Sequence, residues 1–445
     1  MKRGVLLSIV LFIIGTLFLL PNFYRNRWTA VDPEYYTEWQ TRYDRLVVAR
    51  LVKTRQDGFL SAGGLMGLGD ENDWGFDTRT NRHQFNAYLK DGEFQSYLVY
   101  KSNPGFQGMV YGIFDKVLGF TGDQKLKLFR GSTALASAIV FGLILSAFTI
   151  EFGILSGILT LAFTVFSVWI VLPAGSIFWS LWAFFLPFLA GIYMLADSAR
   201  KNEYNSKRIH SILFAAVLMK ILFSGFDMTT TVLVMATVPF VFYGIYNNWD
   251  RKTFVTRMLK IGVVLSAAAI TGLIILSLQI IANDGTVASS YNYILDRFGH
   301  HAEGSSEYFT NPDIEVRKIT SVEVIEKYLV MPAITISFRN TTVQILYWHL
   351  ITIFALFTLL FFLRHRTRDY YMEYPRKALG LIVATWYSLL APLSWYVLFK
   401  PHSFIHTHVN TMAWQMPFTL LGFALCGFVI TDFFKRNPPD NSLPG

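Results

Sequence analysis

The chain has 445 residues, of which 53% are hydrophobic and 16% are charged, and its formal net charge is +9. Soluble globular proteins carry about 25% charged residues, so this composition excludes a cytosolic enzyme and a disordered chain. The single cysteine, Cys426, excludes a disulfide scaffold, and its apolar surroundings predict a buried, inert side chain. The basic excess fits the positive-inside bias of membrane loops, and we expect no nucleic-acid partner.

Apolar runs recur along the chain, and a transmembrane helix needs about 20 mostly apolar residues. They predict an all-α polytopic membrane protein with about ten spans, at 4–20, 132–150, 153–173, 176–196, 210–225, 231–247, 261–283, 342–363, 378–399 and 413–432. Only Pro173-Ala174-Gly175, a helix breaker with a tight turn, separates the third run from the fourth. The first run lacks a small-residue cleavage site, so we interpret it as an uncleaved anchor.

Basic residues are divided unequally between the two sides of this predicted bundle. With a cytoplasmic N-terminus, Lys and Arg cluster on the inner side, and the short outer loops hold only Lys400. This asymmetry predicts a multi-pass inner or plasma membrane protein with both termini cytoplasmic, including the tail 434–445. The chain 1–445 then forms one integral membrane domain with two long extracytoplasmic loops, 21–131 and 284–341.

Amphipathic patterns in the outer loops, such as 43–51 and 107–120, predict helices that lie at the membrane interface. Polar chemistry outside the bundle would therefore face the periplasm or the cell exterior.

The first candidate site is Asp32-Pro33-Glu34, shortly after the first apolar run. A carboxylate held just above the bilayer can act as a general base on an acceptor hydroxyl. The alternative is structural, with Asp32 capping a helix that starts at Pro33. Asp44 and Asp57 are weaker candidates for the same catalytic role.

This arrangement resembles the GT-C superfamily of membrane glycosyltransferases. The resemblance covers the whole chain and is architectural: an N-terminal anchor, an acidic residue soon after it, amphipathic helices in the first outer loop, and a second outer loop later. It implies a polyprenyl-phosphate sugar donor and a catalytic Asp or Glu in the first outer loop. The acidic pair that is usual in the family is here split by a proline, so Asp32 and Glu34 both stay candidates.

A second candidate site is the loop between the last two spans, where His402, His406 and His408 crowd together. Imidazoles at a membrane surface can bind phosphate, relay protons or bind metal. Phosphate or acceptor recognition fits a lipid-linked donor best. The alternative is interfacial hydrogen bonding, with Asn410 as a helix cap.

Lys220 is an ionisable residue inside the fifth predicted span, and such residues are functional candidates because they are costly in a bilayer. It could reach a lipid phosphate at the outer leaflet, or pair with a carboxylate such as Asp227. His349, in the eighth span, is expected to be a hydrogen-bonded packing residue.

Arginines in the second outer loop are further candidates for the donor phosphate, because guanidinium binds phosphate through a planar fork. These are Arg297, Arg317 and Arg339, with His300 and His301 nearby. Individually, each could equally be a solvated surface charge.

The acidic run 70–73 is the one candidate for a divalent cation, although it lacks the glycine and spaced ligands of a calcium loop. No cofactor is predicted with certainty and no other metal site is expected. P-loop, Rossmann, zinc-finger and Gly-x-Ser-x-Gly motifs are absent from the sequence.

These features favour an inverting glycosyltransferase that moves one sugar from a polyprenyl phosphate to an extracytoplasmic acceptor. The acceptor would be a surface polysaccharide, a lipid-linked glycan or a protein. Asp32 or Glu34 would be the base, and Lys220, the three arginines and the three histidines would hold the donor phosphate. The alternatives are a lipid-carrier transporter or flippase, a polysaccharide ligase and, through His349, a membrane O-acyltransferase.

Overall fold

A computed structural model describes residues 2–28, 30–71, 78–303, 319–338, 341–365 and 373–434. The first part of the chain contains α1 (Lys2–Arg25), α2 (Pro33–Asp57), β1 (Met66–Gly69), α3 (Thr78–Leu89), β2 (Tyr97–Tyr100), α4 (Phe106–Val117), α5 (Gly122–Phe152), α6 (Ile154–Phe166) and α7 (Val168–Ala174). The middle contains α8 (Leu181–Lys201), α9 (Ser206–Ser224), α10 (Thr229–Tyr246), α11 (Arg251–Asp284), α12 (Val287–Glu303) and α13 (Ser321–Leu329). The last part contains β3 (Pro332–Phe338), β4 (Thr341–Leu346), α14 (Tyr347–His365), α15 (Glu373–Ser388), α16 (Leu390–Leu398), α17 (Lys400–Ile405), α18 (Thr407–Asn410) and α19 (Phe418–Phe434).

The predicted class, an all-α polytopic membrane protein, agrees with this architecture. Each of the ten predicted spans overlaps helix, but the eighth, 342–363, begins within β4, and its helix starts only at Tyr347. Within the described residues, seven segments are long and apolar enough to cross a membrane: 122–152, 181–201, 229–246, 251–284, 347–365, 376–398 and 407–434. The pair α6 and α7 is bent by 69°, and makes an eighth if it is one span. The count of ten stays a prediction. Two of the predicted spans are not among these segments, because α9 carries three basic residues and the apolar part of α1 is short for a span.

Tight contacts between helices hold the bundle together. The hydroxyl of Ser156 on α6 donates to the carbonyl of Ala424 on α19 at 2.7 Å. A Cβ atom on Gly427 would lie 2.5 Å from the backbone nitrogen of Ser156, so only glycine permits this approach. Small residues of this kind let helix backbones pack closely in a bilayer, where apolar burial provides little driving force.

Helices α2–α4, α12, α13, α17 and α18 lie with both two-stranded antiparallel sheets at one end of the bundle, which we call the loop face. The predicted helix at 43–51 is confirmed as part of α2, but its position at the interface is wrong. Residues 44–52 are all buried, and Arg50 donates to the carbonyl of Ser61 at 2.6 Å. Since its middle part is buried within the protein, α2 forms the core of the first long loop.

Two other helices of the loop face do expose apolar side chains. On α4, Ile113, Phe114 and Val117 are at least half exposed, as expected for the amphipathic pattern at 107–120. On α12, Tyr291 and Phe298 are also exposed, although both belong to a polar segment of the sequence. Both helices have the character of interfacial helices.

Candidate functional site

A well-formed cavity lies at the loop-face end of the bundle, between α10, α11, α12 and α16. Its volume is about 340 Å³, within the range of small-molecule sites. One end is polar and lies beside β2, where Lys101 and Ser102 meet Arg297 of α12. The rest is apolar, with walls that include Leu273, Trp395 and Phe399.

A hydrogen-bonded network organises the polar end. The ammonium of Lys101 contacts the carboxylate of Asp284 at 2.6 Å, at the end of α11. The hydroxyls of Ser102 and Tyr293 lie 2.7 Å apart, and Nε of Arg297 donates to the Tyr293 hydroxyl at 3.0 Å. The polar end therefore holds two cations in place, of which Lys101 is paired with the Asp284 carboxylate and Arg297 contacts the Tyr293 hydroxyl.

The apolar part opens onto an exposed apolar surface. Ile270 and Phe298 line the cavity and are 57% and 61% exposed. By helical rise, Ile270 lies about 21 Å along α11 from Asp284, at 1.5 Å per residue. The cavity therefore changes from polar at one end to apolar along α11.

Lys220 lies in the last turns of α9, next to the loop that leads to α10. Its Nζ atom is fully buried and donates to the carbonyls of Gly225 (2.8 Å) and Asp227 (2.5 Å) and to the hydroxyl of Thr229 (3.4 Å). It also lies 4.8 Å from the ring centroid of Phe184. All three N–H donors are used, and these contacts favour a structural role for Lys220 in the loop between α9 and α10, while binding of the donor phosphate by Lys220 stays a prediction.

That loop carries Asp227, between Phe226 and Thr229 of the cavity wall. Burial raises the pKa of the Asp227 carboxyl, while the positive charges of Lys220 and Arg297 oppose the rise. The Asp227 carboxylate also interacts electrostatically with Tyr43 of α2 and with Tyr100 of β2. From the sequence, Asp227 was predicted only as a partner of Lys220. The closeness of Asp227 to the cavity depends on the tertiary fold.

The three predicted histidines do come together. Ring centroids of His402 and His406 are 4.7 Å apart, and those of His406 and His408 are 5.7 Å apart. His402 lies within 3.2 Å of the side-chain nitrogen of Asn410. The side-chain oxygen of Asn410 accepts a hydrogen bond from the indole N–H of Trp395. The expected capping role of Asn410 is thus replaced by a bridge between α16 and α17.

Positive and neutral basic groups surround His406. Burial, followed by the charges of His408, His300 and Arg42, lowers the pKa of His406 to about 4. His300 is buried on α12, one turn after Arg297, and burial likewise lowers its pKa. The sequence did not identify Arg42 or Lys101 as candidate site residues. The only available signal for Arg42 was its place on an amphipathic helix that packs against the last loop.

Asp32 caps α2, as the structural alternative predicted. Its Oδ1 atom accepts hydrogen bonds from the backbone N–H groups of Glu34 (3.0 Å) and Tyr35 (2.9 Å). Asp32 and Glu34 are both exposed at the start of the helix. A catalytic role for either stays a prediction, as no contact brings them to the cavity within the described residues.

The weaker carboxylate candidates have structural partners. Asp44 is fully buried, contacts Nε of Arg130 at 2.8 Å and accepts a hydrogen bond from the Ser176 hydroxyl at 2.8 Å. Asp57 pairs with Lys53 one turn earlier on α2. His349 is also structural, because its Nδ1 accepts from the backbone N–H of Leu346 at 3.0 Å.

Three remaining predictions concern loop residues. Arg317 and Arg339 lie outside the described residues. In the acidic run 70–73, Asp70 accepts hydrogen bonds from the backbone N–H groups of Gln95 and Ser96, and residues 72 and 73 lie outside the described part. No group of three His, Cys, Asp or Glu side chains that could hold a metal occurs among the described residues.

The fold and the cavity define the class: an all-α polytopic membrane protein with a charged-to-apolar cavity at one end of its bundle. No protein-family model, curated protein or solved structure matches the chain.

Proposed function

We propose that the protein is a GT-C-type glycosyltransferase that transfers a single sugar from a polyprenyl phosphate to an acceptor outside the cytoplasm. One observation supports it above all, namely the cavity that joins Arg297 and Lys101 to an apolar groove with exposed walls. In this proposal the loop face is extracytoplasmic and both termini are cytoplasmic, as the loop charges predict. The acceptor is a surface polysaccharide, a lipid-linked glycan or a protein.

The donor phosphate binds at the polar end, where Arg297 offers a planar guanidinium and Lys101 a point charge. The polyprenyl tail extends along Leu273 and Ile270 of α11. As the glycosidic bond breaks, negative charge builds up on the leaving phosphate. Fixed cations at that position stabilise the transition state more than the ground state, which is what accelerates the reaction.

The chemistry needs a base for the acceptor hydroxyl. The acceptor oxygen forms a bond to the anomeric carbon, the bond from that carbon to the phosphate oxygen breaks, and polyprenyl phosphate leaves. The hydroxyl proton passes to a carboxylate. Asp227 suits this role better than Asp32, because it adjoins the cavity and is close enough to Arg297 for their charges to interact. In this respect the chain departs from the GT-C pattern, in which the carboxylate lies in the first outer loop.

A transfer assay tests the proposal. The purified protein in lipid nanodiscs would be mixed with polyprenyl phosphates that carry radiolabelled sugars and with cell-envelope extract as acceptor. We expect label to move to the extract while polyprenyl phosphate is released in equal amount. Arg297→Gln should reduce transfer by about 10²-fold or more, as is typical for removal of a group that stabilises transition-state charge.

Lys127→Gln is the matched control, because Lys127 is an exposed lysine at the start of α5 that pairs with Asp123. It should transfer at the wild-type rate. Passage of intact lipid-linked sugar across the bilayer, without cleavage, would instead identify a flippase.

A further inference from the structure

The loop between α9 and α10, residues 225–228, is tied to α9 by a buried lysine. Nζ of Lys220 donates to the backbone carbonyls of Gly225 at 2.8 Å and Asp227 at 2.5 Å. Both carbonyls belong to the loop, and Lys220 lies about one turn before the end of α9. The lysine therefore closes the loop back onto its own helix, with Asp227 near the turn.

The backbone of this loop adopts two conformations that need support from their surroundings. Met228 is fully buried and has a φ of 53°, in the left-handed region that bulky side chains rarely adopt. Gly225 has a φ of 65°, and a Cβ atom there would lie 3.1 Å from the side chain of Asn103. Strained backbone persists only where the surrounding structure imposes it, and it is concentrated at functional sites. The neighbouring contacts therefore hold the loop in one conformation.

The same loop forms part of the cavity wall. Phe226 and Thr229, on either side of Asp227, line the cavity. At the end of α9, the hydroxyl of Ser224 donates to the backbone carbonyl of Trp179 at 3.0 Å, which anchors the loop from a second side. Asp227 is therefore held in a fixed place beside the cavity.

Four elements surround the Asp227 carboxyl with charged or titratable groups. These are Lys220 of α9, Arg297 of α12, Tyr43 of α2 and Tyr100 of β2. Burial raises the pKa of Asp227, and the charges of the two cations oppose the rise, that of Lys220 more strongly than that of Arg297. Lys220 thus acts on Asp227 in two ways, through hydrogen bonds to the loop and through a charge that favours the ionised carboxylate.

We propose that Lys220 is a positioning residue for Asp227: its hydrogen bonds hold the loop in place, and its charge keeps the carboxylate ionised beside the cavity. The inference rests on the transferase function proposed above, in which Asp227 is the base. In this role Lys220 acts on the reaction through Asp227 and not through the donor phosphate.

Loss of the positive charge should move the titration of Asp227 to higher pH. An adjacent opposite charge typically lowers the pKa of a carboxyl group by about 1 to 3, so its removal should raise the midpoint by at least about one pH unit. Because only the ionised carboxylate accepts the proton, the transfer rate below both midpoints should fall by about tenfold for each pH unit of this rise. A lysine that only stabilised the fold would leave the midpoint unchanged.

Infrared pH titration of the full chain in nanodiscs tests the inference without turnover. The band of interest is the C=O stretch of a protonated acid that titrates in wild type and is missing in Asp227→Asn. Lys220→Gln removes the charge but keeps two N–H donors, and Lys220→Arg keeps the charge. We expect the midpoint to rise by at least about one pH unit in Lys220→Gln and to stay near wild type in Lys220→Arg. An unchanged or lower midpoint in Lys220→Gln, or an equal rise in both variants, would overturn the inference.

Ser224→Ala is the matched control, because it removes a hydrogen bond that anchors the same loop and alters no charge. Its midpoint should equal that of wild type, and a rise as large as in Lys220→Gln would overturn the role of the charge. The pH profile of kcat should move with the infrared midpoint in Lys220→Gln. An infrared midpoint that rises while the kcat profile stays in place would also overturn the inference, because Asp227 would then not be the base.

The infrared titration needs no substrate, so its outcome does not depend on the transferase proposal. Failure of that proposal would appear separately, as no cleavage of any polyprenyl-phosphate sugar by the wild-type protein.

Discussion

Arg297 and His300 lie one helical turn apart on α12 and belong to two different polar sites. Arg297 lines the cavity, and His300 is close enough to His406 for their charges to interact. Tyr291 of α12 is exposed, and the exposed Phe298 lines the cavity together with Arg297. A single amphipathic helix thus contributes a cation to the cavity and an imidazole to the histidine cluster, and it also exposes apolar side chains.

The base is tested by a pair of substitutions. Asp227→Asn should reduce the transfer rate by about 10²- to 10⁴-fold, because the variant cannot accept the acceptor proton. Asp32→Asn should stay within a few-fold of wild type, since asparagine is also a good helix cap. Steady-state kinetics on both variants, with donor affinity measured separately, gives the comparison. An inactive Asp32→Asn together with an active Asp227→Asn would return the role to the first outer loop.

The pH dependence of the transfer rate follows from the same carboxylate. Burial raises the pKa of Asp227, and the base acts only when ionised. The rate should therefore rise with pH through a midpoint well above about 4, the value for an ordinary Asp, and then level off. A pH profile of kcat in wild type measures this midpoint, and a flat profile from pH 4 to 7 would contradict it.

Lys220→Met tests the structural role of the buried lysine. Methionine keeps much of the apolar stem but leaves the carbonyls of Gly225 and Asp227 without their donor. An unsatisfied buried polar group costs about 1 to 3 kcal/mol, so thermal stability should fall clearly. Tm by tryptophan fluorescence measures this, and the apparent Kd for polyprenyl phosphate should change much less. An unaltered Tm with a large loss of lipid-phosphate affinity would restore Lys220 to the donor site.

The ion pair between Asp44 and Arg130 joins the first long loop to α5. Asp44→Asn retains a hydrogen-bond acceptor for Ser176 but leaves the guanidinium without its counter-charge. Breaking a buried pair in this way costs about 3 to 5 kcal/mol, and partial exposure of Arg130 puts this pair at the lower end. Chemical unfolding should show the loss. A variant as stable as wild type would mean that α2 is held to the bundle by apolar contacts alone.

Sidedness can be measured by labelling single cysteines in intact cells. Lys90→Cys lies at the end of α3 on the loop face, and Glu203→Cys lies at the opposite end, after α8; both positions are exposed. Native Cys426 is buried and should not react. We expect an impermeant maleimide to label position 90 from outside and position 203 only after lysis. The reverse pattern would contradict the extracytoplasmic position of the loop face.

Local patterns were enough to predict the membrane class and the helical segments. The Pro173-Ala174-Gly175 break and the cap at Asp32 follow from rules that act over a few residues, and both are confirmed. The bend at Ser167 was not predictable, because nothing in the apolar run 153–173 distinguishes it. Likewise, Lys101 and Arg297 lie nearly two hundred residues apart in the sequence but line the same cavity. This proximity depends on tertiary contacts, which hydrophobic periodicity cannot predict.

The most direct test of the central claim is photo-crosslinking of the wild-type protein in nanodiscs with a polyprenyl phosphate that carries a diazirine in its tail. The account predicts crosslinks concentrated in residues 269–276 of α11 and around Trp395 and Phe399. Unlabelled polyprenyl phosphate should compete for them, and Arg297→Gln should reduce them about tenfold, consistent with loss of a charge-assisted phosphate contact. Crosslinks spread over the apolar surface of the bundle, and unchanged by either competitor or substitution, would contradict a donor site in this cavity.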